Sequence, residues 1–182
     1  EYGVNVIPEI DVPAHSLAFT HYKPELASKE YGMDHLDLYK EETYAFVDSL
    51  LDEYLGGEQP VFIGPDVHIG TDEYNKKEAE QYRYFTDRYL KLIEKYGKYP
   101  RMWGGLKWLP GKTPVKAKGV TVNAWSYDWV DPVVSLKDGY ELINSCDKYL
   151  YIVPAAGYYR EFLDHKWLYE SWTPWIMNRK QT

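Results

Sequence analysis

The sequence predicts an α/β fold, a segment of a (β/α)8 barrel. Short β-branched runs alternate with amphipathic helical stretches, the rhythm of parallel strands joined by right-handed crossovers. Polar and aromatic residues gather where the runs end: Asp11 and His15, Asp72 and Glu73, Trp103, then Trp125. Barrel enzymes keep their chemistry at those carboxyl ends. The other architecture with this rhythm, an open doubly wound sheet, lacks support because no Gly-rich phosphate loop follows any run. No internal repeat or low-complexity linker interrupts the 182 residues, a length that fits one domain.

The elements follow in order. Val4 to Ile10 reads as a short buried strand that ends in the polar loop Asp11-Val12-Pro13-Ala14-His15-Ser16. Lys40 to Leu55 reads as a helix, with Tyr44, Val47, Leu50, Leu51 and Tyr54 on one stripe and Gly56-Gly57 as the stop. Asp66 to Ile69 is a second strand, followed by Gly70-Thr71-Asp72-Glu73. Lys76 to Tyr96 is the strongest helix, presenting Tyr82, Phe85, Tyr89, Leu92, Ile93 and Tyr96 on one face, with Gly97 just past it. Pro100 to Trp103 gives a third strand and Val120 to Trp125 a fourth. Asp131-Pro132 is a helix start, Asp as N-cap and Pro at the first helical position, and Gly139 is its stop. Leu142 to Cys146 is a fifth strand, and Tyr158 to Leu168 a further helix.

Composition narrows the function classes. Lys plus Arg is 21 against 28 Asp plus Glu, a net charge of −7, so no basic surface points to nucleic acid. The single cysteine, Cys146, excludes an intramolecular disulfide and a multi-thiolate zinc site. No apolar run approaches the roughly 18 residues of a membrane span. The unusual quantity is aromatic content, 17% of the chain. Pyranose rings stack their C–H faces on aromatic rings while their hydroxyls seek Tyr, Asp and His, so this enrichment points to sugars; a Tyr-rich core is the plain alternative. The opening Glu1-Tyr2-Gly3 resembles the end of a helix entering a strand, and the end from Met177 to Thr182 trails off after an aromatic cluster. The expectation is one partial catalytic barrel domain over residues 1–182, truncated at both ends.

Asp72-Glu73 is the pair that can carry chemistry. Adjacent carboxylates at the end of a buried strand are costly to desolvate and repel each other, which favours one keeping its proton as a general acid. A solvated acidic pair ahead of the helix at Lys76 is the structural alternative.

Two strings shift the balance. Pro8-Glu9-Ile10-Asp11-Val12-Pro13-Ala14-His15, followed by His68-Ile69-Gly70-Thr71-Asp72-Glu73, resembles glycoside hydrolase family 20, the β-N-acetylhexosaminidases and lacto-N-biosidases. Its members carry a Pro-Glu-x-Asp-x-Pro-Gly-His loop after the third barrel strand and a His-x-Gly-(Gly/x)-Asp-Glu motif after the fourth. The resemblance continues through Trp103, Trp125 and Tyr149. It implies that the five strands are about the third to the seventh of the barrel and that the substrate is an N-acetylhexosamine-containing glycan, cleaved without metal or organic cofactor. Glu73 would protonate the glycosidic oxygen and Asp72 would orient the substrate's own 2-acetamido group, which attacks the anomeric carbon to give an oxazolinium intermediate. Such substrate assistance stands apart from the two-carboxylate scheme of most retaining glycosidases. Tyr149 would donate to the acetamido carbonyl, Trp103 and Trp125 would wall its pocket, Asp11 would take part in substrate binding, and His15 would support the acid, backed by an Asp from earlier in the barrel. A secreted or cell-surface parent is implied.

Departures from the family pattern are specific. Ala14 stands where Gly is usual, which predicts an ordinary backbone there. Thr71 replaces the commoner second Gly. Tyr151 stands where many hexosaminidases place an Asp for a sugar hydroxyl, pointing to another linkage or to a lacto-N-biosidase-like pocket that releases a disaccharide. A carbohydrate-binding module, or a structural barrel segment without activity, are the competing classes, and Asp72-Glu73 favours the enzyme because binding alone needs no protonatable pair. If only five strands are present, uncovered strand edges and apolar barrel-interior surface are expected, with self-association as one response and little hydrolysis by the isolated chain.

Overall fold

In the computed structural model residues 2–177 are described; Glu1 and the trailing end, 178–182, lie outside the described residues. The chain runs β1 (Glu9–Val12), α1 (Leu17–Tyr22), β2 (Ala27–Ser28), β3 (Gly32–Leu36), α2 (Glu41–Leu55), β4 (Asp66–Gly70), α3 (Ala79–Lys95), β5 (Tyr99–Trp103), β6 (Thr121–Ala124), α4 (Pro132–Asp138), β7 (Glu141–Asn144), α5 (Asp147–Leu150) and α6 (His165–Glu170). Five strands form one sheet in the order β1-β4-β5-β6-β7, and every neighbouring pair is parallel. Sequential order of parallel strands is the topology of a barrel wall. β2 and β3 form a separate antiparallel hairpin.

Alternation along the strands divides the sheet into two faces. Val67, Ile69, Met102, Val122 and Ala124 join Val47 and Leu51 of α2 and Tyr82, Phe85, Tyr89 and Ile93 of α3 in one apolar core. Tyr82, Phe85 and Tyr89 are fully buried, each stabilising the layer by about 1.5–3 kcal/mol on aromatic-size burial. α3 ends at Lys95 with Tyr96 as its C-cap, and Gly97 takes the left-handed conformation at φ +74°. The Asp131 N-cap is as the sequence predicts: its Oδ1 accepts from Val133 N at 3.0 Å and Val134 N at 3.1 Å, and Gly139 closes the helix at φ +96°. Tyr127, Cys146 and Tyr149 form a satellite cluster with Trp167, Leu168 and Trp172.

Several expectations are corrected. The first strand begins at Glu9, not Val4: Val4, Val6 and Ile7 are exposed, because sheet pairing starts only at Glu9 opposite His68. Asp11, read as loop, belongs to the strand. The helix expected from Tyr158 forms only over His165–Glu170. The sheet face opposite the helices is mixed: polar residues stand there beside Tyr99, Trp103 and the exposed Ile143. It carries Asp66 in a 2.8 Å ion pair with Arg101, Thr121 beside Glu141 at 3.5 Å, and Asn123. No helix spans the connection from β5 to β6. Side chains of α3 brace it instead: Glu80 accepts from Lys112 N at 2.7 Å and Thr113 N at 2.8 Å, and Asp87 accepts from Lys116 N at 2.8 Å. Among the described residues no helix is long and apolar enough to cross a membrane.

Candidate active site

The site is built where β1 and β4 end side by side. Their register runs from Glu9↔His68 to Val12↔Gly70, three steps on one strand against two on the other. One extra residue in β1 re-aims its side chains, as bulges beside active sites commonly do. Asp11 thereby comes to lie directly over Gly70, where a Cβ would stand 1.8 Å from Asp11 Oδ1. Beyond Gly70 the chain turns sharply. Thr71 and Glu73 adopt φ +70° and +50°, and His15 on the facing loop +52°. Left-handed backbone at non-glycine residues costs about 1–3 kcal/mol each and persists only where surrounding contacts impose it. Ala14 has an ordinary backbone, as expected; the positive φ falls one residue later. Thr71 is held by the Tyr82 hydroxyl, which donates to its carbonyl from the core side.

His15 joins the two catalytic candidates. Its Nε2 lies 3.5 Å from Asp72 Oδ2 and 3.3 Å from Glu73 Oε2. The carboxylates of Asp72 first and Glu73 next push its pKa up to about 11, so the ring is an imidazolium at neutral pH. Behind it, Nδ1 faces Asp34 Oδ2 at 3.9 Å. The carboxylate backing His15 within this chain thus comes from β3, later in the sequence, whereas the family resemblance points to one from earlier in the barrel.

Burial, then the charge on Asp72, pushes Asp11 up to about 8. Asp11 Oδ1 and Asp72 Oδ1 are both buried, and neither accepts a hydrogen bond from the described residues. Two carboxyls can meet only across a proton, and the physical choice is a protonated Asp11 donating towards Asp72. Asp11, on the strand beside the adjacent pair, is thus a carboxyl of raised proton affinity within the cluster. Burial also raises Glu9. His68 Nδ1 accepts from Gly70 N at 3.0 Å, which leaves its proton on Nε2, and burial drops its pKa to about 4. His68 is therefore neutral, and the 3.6 Å approach of Glu9 to its Nδ1 is not an ion pair.

The aromatic candidates divide. Trp103 is part of the cluster: its Nε1–H donates to Glu9 Oε1 at 2.7 Å and its ring packs on His68 at 4.9 Å. Trp125 lies just past β6, buried, donating to the Gly104 carbonyl at 3.2 Å and packing on Trp129. Tyr149 sits in the satellite cluster stacked on Trp167 at 5.1 Å, with its buried hydroxyl lacking a partner among the described residues. The Trp125 and Tyr149 loops are tied by Asp147 N donating to Trp125 O at 2.6 Å. Direct contacts thus bring together Asp11, His15, Asp72 and Glu73, and join Trp103 to Glu9 and His68; Trp125 and Tyr149 stand at neighbouring strand ends without touching the carboxylates. Asp34 and Glu9 are the members that sequence reasoning did not single out. Glu9 lay inside the quoted motif, but Asp34 had no signal of its own. Among the described residues no three His, Cys, Asp or Glu are disposed to share a metal ion.

A parallel barrel wall with a carboxylate–imidazole cluster at the carboxyl ends of its strands defines an α/β-barrel enzyme. Residues 1–175 match the model of glycosyl hydrolase family 20, catalytic domain, and the chain belongs to that family. It is 28% identical to a lacto-N-biosidase of Bifidobacterium bifidum over 87% of its own length, which is 16% of that protein. Among solved structures, a family 20 β-N-acetylhexosaminidase of Streptomyces coelicolor superposes with a TM-score of 0.65 at 25% identity, covering 81% of this chain and 31% of that one. Dispersin B shares the fold over 99% of this chain and 60% of its own, with a TM-score of 0.68 at 20% identity. The chain therefore spans well under half the length of the first two relatives.

Proposed function

We propose that this chain supplies the catalytic centre of a retaining glycosidase that removes terminal β-linked N-acetylhexosamine from glycans by substrate assistance. The observation that carries this reading is the convergence of Asp72 and Glu73 on His15 Nε2, at 3.5 and 3.3 Å, at the end of a barrel strand. Glu73, the more open of the two, delivers its proton to the glycosidic oxygen as the bond to the anomeric carbon breaks. The substrate's acetamido carbonyl oxygen forms the new bond to that carbon, and Asp72, the more enclosed, holds the acetamido N–H as positive charge spreads over the oxazolinium ring. Water then attacks the anomeric carbon and gives its proton to the Glu73 carboxylate, and the ring reopens with net retention. Two side chains adjacent in sequence cannot bracket one carbon from both faces, so the second nucleophile comes from the substrate at high effective molarity. The unpartnered Tyr149 hydroxyl suits the acetamido carbonyl, and Trp103 and Trp125 suit its walls.

A second reading, release of a disaccharide, is favoured by Tyr151. It stands where a hydroxyl-binding Asp is usual, and its ring packs on Tyr159 at 5.5 Å, an aromatic surface for a further sugar ring.

The test is hydrolysis of chromogenic N-acetylglucosaminide, N-acetylgalactosaminide and lacto-N-bioside by the 182-residue chain and by a longer chain containing it. We expect turnover by the longer chain and little by the segment alone. Glu73→Gln is expected to slow unactivated substrates about 10²–10⁴-fold while sparing good leaving groups, Asp72→Asn to slow all of them, and a thiazoline analogue to inhibit. Undiminished activity in both variants would remove the assignment.

A further inference from the structure

A groove of about 430 Å³ opens on the rim beside Trp125 and Tyr149, between the loops after β6 and β7. One wall is the segment after α5. Val153 N donates to Arg160 O at 3.1 Å, and Ala155 and Gly157 turn the chain at φ +63° and +78°. Tyr158, Tyr159 and Arg160 thereby come back beside Tyr151. Tyr159 packs on Tyr151 at 5.5 Å and on Tyr158 at 4.8 Å. Tyr158 is 82% exposed, so no core contact accounts for its ring. The loops supply Asp128, Asp147 and Lys148. The carboxylates are engaged: Asp147 Oδ1 accepts from Lys148 N at 2.8 Å, and Asp128 is not free. The cations are open. Among the described residues the Arg160 guanidinium has no hydrogen-bond or ion-pair partner, and Lys148 Nζ has only the Tyr149 ring, at 5.2 Å. In a chain of net charge −7, the open charges of this groove are two cations beside bare aromatic rings.

We propose that this groove takes an acidic sugar, the one to which the N-acetylhexosamine is β-linked, with its ring on Tyr158 and Tyr159 and its carboxylate or sulfate ester between Arg160 and Lys148. This inference rests on the proposed roles of Asp72 and Glu73. Sugar C–H faces stack on aromatic rings, and a guanidinium grips a carboxylate or a tetrahedral oxyanion through two parallel N–H bonds. A neutral sugar would meet the rings but leave both cations without a counter-charge. The side of the scissile bond follows from the two neighbouring tyrosines. Burial first, then Tyr159, Asp147 and Asp72, raise the Tyr151 hydroxyl; burial first, then Asp147 and Glu73, raise that of Tyr159. Tyr151 thus stands in the field of Asp72, which holds the acetamido group, and Tyr159 in that of Glu73, which protonates the departing oxygen. The groove continues from Tyr159 to Tyr158 and Arg160, so it lies on the leaving side.

The experiment uses the longer, active chain and two matched pairs of substrates: N-acetylglucosamine β-linked to glucuronate against glucose, and to galactose 6-sulfate against galactose. The first pair reads a carboxylate and the second a sulfate ester. In at least one pair kcat/KM is expected to favour the acidic member about 10-fold, the lower end for a charge-assisted hydrogen bond, and the preference to shrink as salt is raised. Arg160→Gln is expected to bring that ratio down to about 1–2. Lys118→Gln removes an exposed cation at the opposite end of β6 and leaves the ratio in place. NMR titration of the 182-residue chain with methyl glucuronide against methyl glucoside, and with galactose 6-sulfate against galactose, reads the groove without turnover. The favoured acidic sugar is expected to shift the Tyr158 and Tyr159 amide resonances at about 10-fold lower concentration than its neutral partner, and the Arg160→Gln chain no longer discriminates. Equal values within both pairs, or a preference that survives Arg160→Gln, overturns the inference. Failure of the glycosidase reading would appear separately, as full activity of Glu73→Gln on unactivated substrates, and the titration would still decide what the groove binds.

Discussion

Gly70→Ala strikes the seam on which the site is built. The new Cβ would lie 1.8 Å from Asp11 Oδ1, 2.6 Å from its Cγ and 2.8 Å from its Cα. The carboxylate can rotate away, but the Cα is backbone, and an ordinary contact begins near 3.4 Å. β1 and β4 must therefore part by about 0.6 Å at a point where they are hydrogen-bonded neighbours, a misfit of the kind that costs about 1–3 kcal/mol in a packed core. The φ of +67° adds about 1–2 kcal/mol for placing a Cβ in left-handed backbone. The sum, about 2–5 kcal/mol, corresponds to a fall in Tm of roughly 4–20 °C for a chain of this size. Gly97→Ala is the matched control: its φ is +74° but nothing lies within 4 Å of the new Cβ, so only the backbone contribution of about 1–2 kcal/mol remains. Calorimetry of both variants separates the two contributions. If Gly70→Ala melts within about 2 °C of Gly97→Ala, with Tm read as above, the close seating of Asp11 on Gly70 is wrong.

Asp11→Asn tests the proton assigned to that residue. An acid whose folded pKa is raised, here to about 8 from 3.8, costs nothing below pH 4, where both states are protonated. Its penalty grows from there to pH 8 as the unfolded chain alone ionises. The variant should therefore match the wild type in Tm near pH 4 and exceed it increasingly up to pH 8; a constant difference across that range would contradict a protonated Asp11. Asp131→Ala removes the cap of α4 and should cost about 1 kcal/mol, seen as a lower denaturation midpoint with unchanged kinetics, since the helix lies away from the carboxylate cluster.

Elements with a local cause were legible in the sequence. The start of α4 could be placed to the residue, and its end near Gly139, because Asp-Pro at one end and Gly at the other are short-range chemistry. α3 announced itself by five turns of apolar periodicity. β1 was misplaced because Val4-Asn5-Val6-Ile7 has the composition of a strand, whereas strand existence depends on a partner, and the partner begins opposite Glu9. The hairpin was invisible for the opposite reason. Its strands are two and five residues long, too short for a pattern, and they are held by hydroxyl-to-carbonyl and backbone bonds to distant segments. The acid pair and His15 came from their motif; Asp34 reached the site only through that hairpin.

The sheet face opposite the helices has a consequence for how such a domain can change. Apolar packing lies on the helix side of the sheet, while the other side carries charge pairs and the reacting groups. A substitution at Thr121 or Glu141 falls outside the apolar core, whereas one at Val122 or Met102 removes packed core volume. The scaffold and the face that carries the candidate site are thus borne by alternate residues of the same five strands. On the proposed reading, a change of glycan can be met at the second set of positions with little loss of the stability held by the first.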